Sequence, residues 1–80
     1  MDASVASAIE YFPHRKLEIE ELALRTPEFR SLCWDLSEAE GALRYWKQVS
    51  EPNEERRSEY EALVSELVAE IKLMLDQPAI

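Results

Sequence analysis

With one glycine and one cysteine in eighty residues, whole classes of protein are excluded at once. A loop that cradles phosphate needs clustered glycines, and Gly41 stands alone. A disulfide framework needs paired cysteines, so the lone Cys33 forbids one within the chain and points to a reducing, cytoplasmic setting. The only histidine is His14, beside Arg15 and Lys16, with Glu10 as its one neighbour at ligand spacing. Neither a Glu-x-x-His metal motif nor a Ser/His/Asp set can be assembled from it. The reading is a surface histidine, with no enzyme, no cofactor and no metal centre.

Cations are scarce too. Nine Lys and Arg stand against seventeen Asp and Glu, for a formal charge of −8. Nucleic acid and anionic membrane both want a basic face, so neither is expected as a partner. The first residues carry no cationic n-region, and no apolar run approaches the ~18 residues of a membrane span. The expectation is a soluble cytoplasmic protein without signal peptide or anchor.

What the sequence does have is helical periodicity. Abundant Leu, Glu, Ala and Arg favour an all-α fold. Thr26-Pro27 reads as a helix start, Thr26 as N-cap and Pro27 at the first helical position. From there Phe29, Leu32, Leu36, Ala39, Leu43 and Trp46 alternate by three and four, the a/d stripe of a heptad. After Ser50-Glu51-Pro52-Asn53 the alternation returns in Tyr60, Val64, Leu67, Ile71 and Met74. Setting Phe29 against Met74 in an antiparallel pair brings Leu32 to Ile71, Leu36 to Leu67, Ala39 to Val64 and Leu43 to Tyr60. That register puts the bend between Glu51 and Pro52, where the turn residues already lie. It also sets Trp46 over Arg57, a cation–π pair, with Lys47 within reach of Glu54 and Glu61.

The predicted architecture is a single domain over 1–80: an antiparallel two-helix hairpin, coiled-coil-like, with arms at 27–49 and 53–76. One or two short helices precede it. Val5, Ala8, Ile9 and Phe12 share one helical face within 1–12, which is either a short helix capped by Asp2 or Ser4 or a tail ordered by its neighbours. Pro13 should end it at Phe12. The segment 13–25 reads as a second short helix with Leu17, Ile19, Leu22, Ala23 and Leu24, kinked or broken at Thr26-Pro27. The chain after Gln77-Pro78 is expected to be loose. Cys33, on the flank of the seam, reads as a buried, inert small hydrophobe.

Some residues break the hairpin's own logic. Trp34 and Tyr45 fall at heptad positions f and c, away from the seam, with Gly41 between them. A mid-helix glycine costs ~1 kcal/mol relative to alanine, so this trio suggests a close contact. Either the N-terminal helix covers it, with Val5, Ile9 and Phe12 over Trp34, or another chain does. Leu63, Val68 and Leu75 likewise widen the second arm's stripe beyond what one facing helix covers, and Leu73 adds a further face. A lone two-helix hairpin is marginal, so the missing burial should come from the N-terminal helices, a second subunit, or both.

Arg15, Leu22, Pro27, Phe29 and Leu32, followed by the long helix to Val49 and by Leu67, Glu70, Ile71 and Leu75, resemble the YdcH-type family. These are short bacterial helical-hairpin proteins of uncharacterised function. The resemblance implies a bacterial, cytoplasmic hairpin with no known activity. That family's second arm is lysine-rich. Here Glu59, Glu61, Glu66 and Glu70 dominate, so nothing that rests on a basic arm carries over.

The functional expectation is a protein–protein interaction module, adapter or regulatory subunit, that self-associates as a dimer or higher oligomer. Its candidate surface is Trp34, Gly41, Tyr45, Leu63, Val68 and Leu75. The alternatives are an acidic inhibitor or mimic that binds a basic protein, and a metal- or ligand-binding bundle.

Overall fold

The computed structural model describes residues 5–77, so capping by Asp2 or Ser4 and the chain beyond Gln77 lie outside the described residues. Those residues are all-helical. Helix α1 spans Ala6–Tyr11, a 3-10 turn Pro13–Arg15, α2 Lys16–Arg25, α3 Pro27–Gln48 and α4 Glu54–Asp76. The two long helices pack against each other as a hairpin, and α1 and α2 lie across it in a body of 48 × 23 × 22 Å.

Prolines set the breaks that end α1 and α2. Phe12, forced out of α geometry by Pro13, sits at φ −131°, ψ 63° and still donates its N–H to the Ala8 carbonyl at 3.1 Å. Thr26 before Pro27 is extended at φ −127°, ψ 100°. Its N–H closes α2 on the Leu22 carbonyl at 2.8 Å, and its own carbonyl accepts the Arg30 N–H at 3.1 Å. The junction is therefore a break rather than a kink. Thr26 holds the N-cap position by its backbone alone, because its side chain makes no cap hydrogen bond. Asn53 is the side-chain cap: its Oδ1 accepts the Arg56 N–H at 3.0 Å and opens α4 just after the turn.

The core is one cluster drawn from all four helices: Val5 and Ala8, Ile19 and Ala23, Phe29, Cys33, Leu36 and Ala39, then Val64, Leu67, Ile71 and Leu75. It follows the middle of the expected seam, Phe29, Leu36, Ala39, Val64, Leu67 and Ile71, while toward the turn Leu43, Trp46 and Tyr60 are only half-buried. Cys33 is buried where Leu32 is only half-buried, and Leu75 is buried where Met74 is half-buried. The reason is a third layer. Helices α1 and α2 pack on the Cys33 side of α3 and reach α4 as well, so the buried centre moves off the two-helix seam toward them. The opposite flank of the hairpin is left open.

The loop end also differs in detail. Arg57 does not lie on Trp46; its guanidinium reaches Glu61 at 3.5 Å and Glu54 at 3.9 Å along its own helix. The Trp46 ring meets Tyr45 edge-on, with centroids 5.1 Å apart. Lys47 enters no ion pair among the described residues.

Candidate interaction surface

The six residues singled out by pattern do not form one surface. Leu75 is only 9% exposed and belongs to the core, and Val68 is half-buried against it. Both lose their place in the candidate surface for the same reason: the stripe that looked too wide for one facing helix is covered by the N-terminal layer. Val68 instead lines a shallow depression with Tyr11, Phe12, Val64, Ser65, Ala69 and Lys72, where α1 runs past α4.

Trp34, Tyr45 and Leu63 remain uncovered, at 52%, 59% and 39% exposure. The N-terminal helix does not cover Trp34. Val5 and Ala8 enter the core instead, and polar contacts hold α1 further round α3. The Ser37 and Ser7 hydroxyls are hydrogen-bonded at 3.0 Å, and the Tyr11 hydroxyl donates to Glu40 Oε2 at 3.3 Å. Burial, and next the nearby Glu40 charge, raises the Tyr11 pKa. Gly41 is exposed, and a Cβ built on it would meet nothing within 4 Å. No close approach within this chain explains it.

On the open flank, α3 and α4 enclose a groove of about 390 Å³ lined by Asp35, Glu38, Ala39, Ala42, Tyr60, Leu63 and Leu67. Its floor is small and apolar where Ala39 and Ala42 stand one helical turn apart, and Leu63 and Leu67 form the facing wall. Its α3 rim is acidic. Glu38 also accepts the Trp34 indole N–H at 3.0 Å, which holds that ring along the edge of the groove. Helical spacing from Leu63 puts Glu59, Glu66 and Glu70 on the same side of α4. Arg56 shares that side and is paired with Glu59 at 3.4 Å. Asp35, Glu66 and Glu70 enter no ion pair among the described residues.

The covered flank carries charges of both signs, with Glu40 bonded to Tyr11 beside the arginines of α3. Arg30 and Arg44 lie seven residues either side of Ser37, on the stripe that faces α1. Arg30 Nη1 donates to the Ala23 carbonyl at 3.2 Å. Arg15 closes the far end: it donates to Asp76 Oδ1 at 2.6 Å and to the Leu75 carbonyl at 2.9 Å, and pairs with Glu18 at 2.8 Å. Bonds to Glu18 and then Asp76 raise the Arg15 pKa, while bonds from Lys72 and then Arg15 hold Asp76 below the usual carboxylate value. The clasp ties the start of α2 to the last turn of α4, whose terminal carbonyls otherwise lack partners.

Sequence reasoning missed the groove floor and rim, although a signal was present. Glu28, Asp35 and Ala42 fall on one heptad line of α3, and Arg30, Ser37 and Arg44 on another, with Glu40 beside the second. His14 is exposed, and Cys33 is fully buried in the core. Among the described residues no cluster of three or more His, Cys, Asp and Glu is placed to hold a metal ion, and no helix is long and apolar enough to cross a membrane. Set against known protein families, curated proteins and solved structures, the chain matches none of them.

Proposed function

We infer that this protein is a non-catalytic protein–protein interaction module of the cytoplasm, an adapter or small regulatory subunit working through its open flank. One observation carries the reading. The N-terminal helices cover one side of the hairpin, while the other keeps an apolar groove walled by Leu63 and Leu67, with Trp34 and Tyr45 exposed on the outer face of α3. An apolar groove left open in this way marks an interaction site. The resemblance to the YdcH-type hairpins agrees with a small helical scaffold and adds no activity.

Self-association is the second reading, and a different observation favours it. Leu17 and Leu24 are the most exposed large apolar side chains, 77% and 82%, two turns apart on α2 and outside the groove. They offer a second copy an apolar stripe.

A photo-crosslinking amino acid placed at position 63, 45 or 17 in the full chain, in the cells that make it, tests both. Adducts from 63 or 45 support the module, and an adduct from 17 at twice the 9.3 kDa chain mass supports the dimer. Failure to crosslink at all three positions overturns the interaction reading.

A further inference from the structure

Resting on the module reading, we propose that the groove between α3 and α4 takes a cationic amphipathic helix from a partner protein. The floor sets the shape of the occupant. Two antiparallel helices with the small Ala39 and Ala42 on the α3 side of the groove let a third helix approach closely, and such grooves are filled by side chains at i, i+3, i+4 and i+7.

The rim sets its charge. A helix seated on Leu63 and Leu67 draws Asp35, Glu38, Glu66 and Glu70 out of water. Removing carboxylates from water is unfavourable unless cations meet them. The α3 cations fall on other heptad lines than Asp35 and Glu38: Arg30 and Arg44 on that of Ser37, which bonds α1, and Lys47 on that of Cys33 and Glu40; Arg56 on α4 is already taken by Glu59. Lysines or arginines flanking the partner's apolar stripe supply the missing charge and steer the encounter. A second copy does not fit this site, because its own groove side carries the same carboxylates and its net charge is −8. Like charges facing across an interface oppose docking.

The probe is a synthetic helix of about 14 residues made only of Leu and Lys, about four turns long, titrated into the full chain and followed by amide NMR shifts. A matched Leu/Glu peptide is the control. Saturable one-to-one binding of the Lys peptide is expected, with the largest shifts at Ala42, Leu63 and Leu67. Affinity should fall about tenfold between 0.05 and 0.3 M salt, as screening of exposed charge requires. Ala42→Trp, which fills the groove without changing charge, and the double variant Asp35→Lys/Glu38→Lys, which inverts the rim, should each weaken binding at least tenfold at unchanged helicity. Either variant alone suffices if the other fails to fold.

Equal binding of the Glu peptide, or shifts confined to α1 and α2, overturns the proposal. So does concentration-dependent dimerisation that moves the same groove amides. If neither peptide binds, the cationic helix is wrong, while the module reading stands or falls by crosslinking from position 63.

Discussion

The two flanks of the hairpin begin with similar raw material and end differently. Each has alternating apolar residues on two long helices and polar residues beside them. On one, Cys33, Leu36, Ile71 and Leu75 sit under α1 and α2, with Ser37 and Glu40 bonded to the layer above. On the other, Leu32 and Met74 stop at partial burial and Leu63 is exposed, and among the described residues Asp35, Glu66 and Glu70 enter no ion pair. The comparison teaches that a seam's burial is set by what lies over its flanks as much as by its own a/d pattern. The covered flank has found its partner within the chain. The open flank keeps Leu63 and the small floor of Ala39 and Ala42 without a covering layer.

Truncation gives the sharpest test of that difference. Leu36→Ala or Ile71→Ala removes a fully buried side chain and should cost about 2–5 kcal/mol. Leu63→Ala, on the open flank, should cost about 1 kcal/mol or less in the isolated protein. Urea unfolding midpoints measure both, and equal losses would erase the distinction between the flanks.

The open flank also has a change that should stabilise. Gly41 is an exposed position inside α3 without positive φ, and a Cβ there meets only open space. Gly41→Ala should then raise stability by about 1 kcal/mol, through helix propensity and a less flexible unfolded chain. A thermal melt that moves downward instead would show that the glycine answers to a contact outside this chain.

The hairpin was legible in the sequence because it is written twice. The a/d alternation and the Ser50–Asn53 turn residues are both local signals and imply the same bend, and the helices Pro27–Gln48 and Glu54–Asp76 follow them closely. The breaks at Phe12 and Thr26 were legible for a similar reason, since the proline after each restricts it directly. What could not be read was which flank α1 and α2 would cover. That choice moved Leu75 and Val68 from the candidate surface into or against the core and left Trp34 bare. On α2 the apolar residues split: Leu17 and Leu24 stay exposed, while Ile19 and Ala23 are buried and Leu22 packs against the core half-buried. The Arg15 clasp joins residues sixty-one apart, and no local periodicity carries such a pairing.

That clasp supplies the smallest and most local effect, because its groups stay in contact with water. Lys72 first, and Arg15 next, hold the Asp76 carboxyl below its ordinary value of 3.8. A carboxylate whose pKa is lowered by folding stabilises the fold fully above its unfolded value, and that contribution is lost as pH falls through the lowered one. Urea midpoints measured at pH 6 and again in the acid range should therefore drop less for Asp76→Asn than for the wild type. Arg15→Ala at neutral pH removes the donor to the Leu75 carbonyl and should speed amide exchange in the last turn of α4, with α3 unchanged. Faster exchange throughout α3 as well would mean that the clasp holds the whole covered flank in place. The sealed side would then depend on one surface arginine rather than on its buried apolar layer.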